Sequence, residues 1–284
     1  MDGKTKVIGI FGNPIEHTAS PGMHSAAFKK LGLNYAYVPF LVNRNKISSA
    51  MESIRTLHLA GVNVTAPFKE IVIPYLDELT LDAKLIGAVN TIKNNNGVLI
   101  GYNTDGEGFI ESLKEASKKF TPKGKRVAIL GAGGACRAIS VALARKKIKQ
   151  LVIADIVEAK AKGLAQQLKS KIKVNVVGLA PNTQQFYDLA QNADLLINAT
   201  SVGMQPRTGE CPLANVSVIH PRQLVCDLIY NPEQTKFLKI AKHLGAKTLN
   251  GLGMLLYQGV LSFEIFTGEK APTSVMRQEL LAAL

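Results

Sequence analysis

The 284-residue sequence has few cysteines: Cys136, Cys211 and Cys226 stand far apart, with no CxxC pair. A scattered, odd-numbered set of this kind fits neither a disulfide framework nor a zinc site. The five histidines, His17, His24, His58, His220 and His243, lack metal-ligand spacing, so no metal is expected. No apolar run approaches the roughly 20 residues that a membrane helix needs. The opening Met1-Asp2-Gly3-Lys4 runs straight into a strand pattern, without the apolar core and cleavage site of a signal peptide. The expectation is a cytoplasmic protein with no membrane partner. Aromatic-rich RNA-binding motifs, helix-turn-helix signals, zinc fingers, internal repeats and low-complexity segments are also missing.

What is present in excess is positive charge. There are 34 Lys and Arg against 21 Asp and Glu, a formal net charge of +13. The densest clusters are short, Lys118-Lys119 and Arg145-Lys146-Lys147. Each falls near the end of a predicted helix, where cations complement the helix dipole. The charge therefore reads as solubility and steering of anionic substrates, and no nucleic-acid partner is expected. With 46% hydrophobic and 19% charged residues, the composition is that of an ordinary globular protein. The length is comfortable for two domains.

Strand and helix patterns alternate almost throughout, which predicts a mainly parallel α/β architecture. Strands are expected at Lys6–Phe11, Tyr35–Phe40 and Gly61–Val64, with a helix following Pro21, for which Ser20 is a plausible N-cap, and another near Lys46–Leu57. Ala88–Lys93 and Val98–Gly101 form a hairpin signal around Asn95-Asn96-Gly97. Thr104 to Lys119 reads as a helix leading to a linker at Thr121-Pro122-Lys123-Gly124. Arg126–Leu130 then has the short apolar run of a buried parallel strand. Further strands are expected at Leu151–Ala154, Val174–Val177, Leu195–Asn198 and Leu224–Leu228. Two closing helices, near Leu252–Phe266 and Ser274–Leu284, break the alternation and would return to cover the first domain.

Several residues stand out for their chemistry. The segment Asn63-Val64-Thr65-Ala66-Pro67-Phe68-Lys69 puts a lysine just beyond a strand and a Pro-marked turn. An ammonium there can exchange a proton or hold an oxyanion, although most lysines are solvated surface charges. Asp105, in Gly101-Tyr102-Asn103-Thr104-Asp105, is a carboxylate at another element boundary able to pair with it. Gly131-Ala132-Gly133-Gly134-Ala135 lies between a buried strand and the helix Ala135–Arg145. Glycines there let a backbone approach a pyrophosphate resting on the helix N-terminus. The match to G-x-G-x-x-G is incomplete, with Cys136 at the third position, and a tight structural turn would look similar.

Asp155 ends the next strand, where a Rossmann domain presents the carboxylate that binds ribose hydroxyls. It would repel a 2′-phosphate, and only Lys160 offers a nearby cation. NAD is therefore the expected cofactor, with NADP as the alternative; the same Asp would also serve as an N-cap. Asn198-Ala199-Thr200-Ser201-Val202-Gly203-Met204 ends another strand in small polar residues, at the end where an open α/β sheet binds its ligand.

Six segments in order carry a resemblance over essentially the whole chain. They are Gly12 to Pro21, Asn63 to Lys69, Gly87-Ala88-Val89-Asn90-Thr91, Asn103-Thr104-Asp105, the glycine loop with Arg137, and Gly251 to Gln258. In these the chain resembles the shikimate dehydrogenases and their quinate/shikimate relatives. The resemblance implies reversible oxidation of shikimate to 3-dehydroshikimate in the shikimate (aromatic amino acid) pathway. It implies Lys69 and Asp105 as the catalytic pair, with either one open as the proton carrier. Thr18 and Ser20 match the pair that holds the substrate carboxylate, Tyr230 an assisting phenol, and Thr65, Asn90 and Gln258 the residues on ring hydroxyls. Cofactor contacts fall on Gly131, Ala132, Gly133, Gly134, Ala135, Asp155, Thr200, Ser201, Val202, Gly203, Gly251 and Met254. Two departures stand out: Thr18 where Ser is usual, which bears on quinate against shikimate, and Asp155-Ile156-Val157 where NADP-using members read Asn-Arg-Thr.

The expected architecture is a two-domain α/β enzyme. Residues 1–104 and 251–284 form a substrate-binding domain completed by C-terminal helices, and residues 105–250 a Rossmann-type dinucleotide-binding domain. The active site is expected in the interdomain cleft, in a monomer or homodimer. An NAD-linked quinate dehydrogenase and a non-catalytic dinucleotide-binding regulator are the alternatives.

Overall fold

The computed structural model describes residues 1–117 and 120–283; the Lys118-Lys119 pair and Leu284, at the end of the last expected helix, lie outside the described residues. The chain divides into two compact units, Met1–Gly108 with Leu256–Leu284, and Phe109–Leu255. Each holds one six-stranded sheet, so the two-domain α/β class expected from the alternating pattern is the one observed.

The first unit begins β1 (Lys6–Gly12), α1 (Ser20–Leu31), β2 (Tyr35–Leu41), α2 (Ile47–Thr56) and β3 (Gly61–Val64). It continues with β4 (Glu78–Leu79), α3 (Leu81–Ile86), β5 (Thr91–Asn95), β6 (Val98–Tyr102) and the start of α4 (Asp105–Ala116). The sheet order is β2-β1-β3-β5-β6-β4. β1 is parallel to β2 and β3, whereas β5 is antiparallel to β3 and β6. The β5–β6 hairpin turns through Asn96 (φ 52°) and Gly97 (φ 93°). Positive φ at both central residues is what a two-residue type I′ turn requires, and Asn-Gly supplies it at least steric cost.

The second unit contains β7 (Arg126–Leu130), α5 (Gly134–Arg145), β8 (Gln150–Ala154), α6 (Glu158–Ile172), β9 (Val176–Leu179) and α7 (Gln184–Gln191). Then come β10 (Leu195–Asn198), β11 (Leu224–Asp227), α8 (Lys236–His243) and β12 (Lys247–Leu249). The order β12-β11-β10-β7-β8-β9 is parallel throughout and reverses direction between β7 and β10. This is the doubly wound arrangement whose switch point takes a ligand at the strand carboxyl ends. Its strands are unbroken apolar runs because both faces are covered: Val127 to Leu130, Leu151 to Ala154 and Leu195 to Ile197 are all buried.

The last helices are α9 (Leu252–Thr267) and α10 (Thr273–Ala282), and the unit boundaries fall within α4 and α9. Phe263, Phe266, Met276 and Leu280 of these helices are buried, as are Met23, His24 and Phe28 of α1. The rings of His24 and Phe28 stack on Phe263. On α2 and beyond, Ile47, Met51 and Ile54 join Val62, Val64 and Phe68 in a second cluster.

Some expectations shift by a few residues. The fourth strand of the second unit's sheet in chain order is at Leu195–Asn198 as expected, but the one before it runs Val176–Leu179 rather than from Val174. Ser20 does not cap α1: Ala19 is the N-cap, without a side-chain hydrogen bond, and Ser20 is already helical. The short elements β4 and β12 carry too little pattern to register in the sequence.

Candidate active site

Strand register brings four chain segments to one edge of the first sheet. Phe11 of β1 pairs with Val64 of β3, Asn63 with Thr91 of β5, and Thr91 with Tyr102 of β6. The residues just beyond these points are Thr18 and Ser20, Thr65 and Lys69, Asn90, and Asp105. Three strands running the same way, β1, β3 and β6, end there, and the antiparallel β5 begins there, so residues far apart in sequence share one edge.

At that edge Lys69 Nζ lies 2.6 Å from Asp105 Oδ2, with the lysine side chain 30% exposed and the aspartate 8%. Asp105 opens α4, where the helix dipole favours its negative charge. Its other oxygen, Oδ1, accepts from Asn90 Nδ2 at 2.9 Å. Both carboxylate oxygens therefore receive hydrogens, one from an ammonium and one from an amide. The Lys69 backbone is fixed too, its carbonyl accepting from the Val89 N–H at 2.7 Å.

Asn90 is buried and saturated. Nδ2 also donates to Thr104 Oγ1 (2.9 Å), and Oδ1 accepts from the Thr104 N–H (2.9 Å) and from Thr91 Oγ1 (3.0 Å). Thr18 Oγ1 accepts from the Ser20 N–H at 3.3 Å, which folds the two hydroxyl residues together. Thr65 is half-buried, its N–H bonded to the Phe11 carbonyl. Gln258, on α9, has its backbone carbonyl within reach of Thr104 Oγ1 (3.0 Å) and Ser262 Oγ (2.9 Å). His17 is exposed.

In the second unit, register aligns Leu130, Ala154, Asn198 and Asp227 at the carboxyl edge of the sheet. Gly131 follows β7 with φ +96°, and a Cβ there would stand 3.0 Å from the Ala199 carbonyl oxygen. Only glycine fits both conditions. Gly133 is the extended N-cap of α5 without a side-chain cap, and a Cβ at Gly133 or Gly134 would project into open space. The N-terminus of α5 is thus uncrowded at both glycines, which fits the approach of a pyrophosphate. Across the switch point, Thr200 is tied locally: its N–H and hydroxyl both donate to Asn198 Oδ1, at 3.0 and 2.7 Å. Its oxygen accepts from the Val202 N–H at 3.1 Å. Ser201 and Met204 are exposed, Gly203 has φ +97°, and Tyr230 is 36% exposed.

One buried group escaped sequence reasoning. Asp227 accepts from Thr235 Oγ1 (2.6 Å), Asn198 Nδ2 (3.0 Å) and the Ile229 N–H (3.1 Å). Burial pushes its carboxyl up to about 6, against the opposing hydrogen bonds. It ties together the loops after β10 and β11. The available signal was a carboxylate ending the apolar run Leu224–Cys226.

Gly251 owes its identity to close packing. A Cβ there would lie 1.9 Å from the Leu228 carbonyl oxygen. Gly251→Ala is expected to lower stability by about 1–3 kcal/mol, the usual cost of overpacking. Thermal unfolding checks this, and an unchanged Tm would show that the backbone gives way freely.

Models of three shikimate dehydrogenase segments match the chain in order. The substrate binding domain matches residues 10–92, the shikimate/quinate 5-dehydrogenase model residues 114–210, and the C-terminal domain residues 251–281. A curated relative from Desulforamulus reducens, named shikimate dehydrogenase (NADP(+)), is 48% identical over 99% of this chain and 96% of its own length. The chain belongs to the shikimate dehydrogenase family. A solved family structure, a shikimate dehydrogenase in complex with NADP+, superposes with a TM-score of 0.92 at 41% identity, covering 99% of this chain and 96% of that one. The Listeria monocytogenes shikimate 5-dehydrogenase, in complex with shikimate and NAD, gives 0.93 at 37%, over 98% and 97%.

These findings overturn the expected preference for NAD. Curated family relatives from Desulforamulus reducens, Methanopyrus kandleri and Syntrophomonas wolfei are named for NADP(+). The physical reason lies in how Asp155 is used. Its Oδ2 accepts from the Ala132 N–H of the glycine loop and its Oδ1 from the Val157 N–H, each at 2.8 Å. The carboxylate braces the loop and its own turn, a structural use that accounts for an Asp at this position without a ribose ligand.

Proposed function

We propose that the chain catalyses the reversible oxidation of shikimate to 3-dehydroshikimate with NADP. The observation that carries this reading is the 2.6 Å Lys69–Asp105 pair at a strand edge that also presents Thr18, Ser20 and Thr65. A polyol acid needs an anion clamp, fixed hydroxyl partners and one proton-handling group, and these residue types supply them. Thr18 and Ser20 take the carboxylate, while Thr65 and Gln258 orient ring hydroxyls. The saturation of the Asn90 amide favours a role in holding Asp105 over direct contact with a ring hydroxyl.

Within the pair, the proton is assigned to Lys69. Asp105 receives a hydrogen on each oxygen, which suits a fixed anion that aims the ammonium. Lys69 then gives its proton to the carbonyl oxygen during reduction and takes it back during oxidation. The cofactor, when bound, supplies or accepts the hydride. Gly131, Ala132, Gly133, Gly134 and Ala135 would hold its pyrophosphate, with Thr200, Ser201, Val202, Gly203 and Met254 toward the nicotinamide end. Lys160, exposed on the first turn of α6, is a cation available to a 2′-phosphate.

Initial rates with shikimate and quinate, each with NADP and NAD, test the reading by absorbance of the reduced nicotinamide. Shikimate with NADP is expected to give the highest kcat/KM. A higher value with quinate would reassign the substrate, and no turnover with any pairing would leave a dinucleotide-binding protein without catalysis.

A further inference from the structure

Asn63 opens the motif that ends in Lys69, and Thr91 closes the motif Gly87–Thr91, yet neither has a part in the chemistry above. Asn63 is 6% exposed and Thr91 fully buried, and they face each other across β3 and β5. Their hydrogens can be followed one at a time. Asn63 Nδ2 lies 3.0 Å from the Asn90 carbonyl oxygen. A carbonyl only accepts, so the Asn63 amide is fixed with its Oδ1 toward the Tyr37 hydroxyl, 2.7 Å away.

The same logic fixes Asn90. The Thr104 backbone N–H only donates, so Asn90 Oδ1 must face it and Nδ2 must face Asp105. The Thr91 hydroxyl adds a second donor to Asn90 Oδ1, at 3.0 Å. Thr91 has a single hydrogen, and the arrangement that leaves it for Asn90 has Ser262 Oγ, 2.8 Å away, donating to Thr91 Oγ1 while Thr104 Oγ1 donates to the Gln258 carbonyl.

We propose that Thr91 is a positioning residue for the reaction, acting through Asn90 on Asp105 and so on Lys69. Two donors on Oδ1 fix the plane of the Asn90 amide and polarise it, which strengthens and aims its bond to Asp105. The proposal rests on the catalytic reading of Lys69 and Asp105. Thr91→Val is a clean deletion that keeps the branched shape. Asn63 Nδ2 has two hydrogens and retains two acceptors, the Asn90 carbonyl and Ser262 Oγ at 3.1 Å, and the Ser262 hydrogen turns to the Gln258 carbonyl, so no buried donor is orphaned.

In Thr91→Val, kcat for shikimate is expected to fall about tenfold, the worth of one hydrogen bond in the transition state. KM should stay within about twofold, because no substrate contact is removed. Thr91→Ser, which keeps the hydroxyl, should retain most of the rate. In an Asp105→Asn background Thr91→Val should add nothing to the loss, since the route is already cut. A lowered Tm with unchanged kcat, or a loss that multiplies undiminished with Asp105→Asn, overturns the proposal. Thr91→Ala is read the same way if the valine variant does not fold. Full turnover in Asp105→Asn alone would remove the catalytic reading and this inference with it. Full turnover in Thr91→Val beside an impaired Asp105→Asn would remove only this inference.

Discussion

Lys69→Ala is expected to lower kcat by about 1,000-fold, within the range for a lost proton-transfer group. KM for shikimate should move only a few-fold, since the clamp and hydroxyl partners are other residues. The variant should fold, because Asp105 keeps its hydrogen bond from Asn90 and the space Lys69 leaves, on a side chain 30% exposed, is open to water. Lys69→Arg separates two meanings of the pair. Arginine keeps the positive charge but does not give up its proton in proteins. If Lys69 carries the proton, the arginine variant should be as impaired as the alanine variant. Substantial turnover with arginine would instead make Asp105 the base and the cation a polarising partner.

The second large effect is on stability. His24 is buried among Phe28, Tyr37, Phe263 and Phe266, its ring 4.4 Å from that of Tyr37, and its Nδ1 has no hydrogen-bond partner among the described residues. Burial pushes the imidazole down to about 3. In the unfolded chain it takes up a proton below its ordinary value of about 6.5, whereas in the folded chain it stays neutral until about pH 3. The unfolded state therefore binds more protons over that window, and stability falls as pH drops from 6.5 toward 3. Between pH 6.5 and 4.5 the loss from this one residue is about 2–3 kcal/mol.

His24→Phe keeps an aromatic ring in the cluster and removes the titration. Urea unfolding at both pH values should show a smaller acid loss in the variant by that amount. Contributions from groups such as Asp77, Asp194 and Asp227 cancel in the difference, because they titrate in both proteins. Equal acid losses in the two proteins would show that His24 is protonated without unfolding.

Much of the fold was legible because its signals are local. Arg126–Leu130 is apolar without interruption, Asn96-Gly97 is a two-residue turn, and Gly131 to Gly134 separates a strand from a helix. What escaped depends on tertiary partners. Ser20 has the residue type of an N-cap, yet the chain enters the helix one residue earlier. Asp155 sits where a ribose ligand is expected, but which donors reach a carboxylate is decided by the loop folded over it. The chemistry of Lys69 and Asp105 was suggested by their placement at element boundaries. The Asn63–Thr91–Asn90 relay was not, because residues that satisfy one another across strands leave no periodic trace.

The first unit is made from two stretches of chain, and this sets the order of events on the ribosome. Residues 1–108 emerge first, but the helices that cover Met23, His24 and Phe28 come only after the whole of the second unit. The second unit is one uninterrupted stretch with its own sheet, and it can close as it is made. Until Phe263, Phe266, Met276 and Leu280 arrive, the nascent first stretch displays an open apolar face. That interval is when the chain is most exposed to chaperone capture and to aggregation.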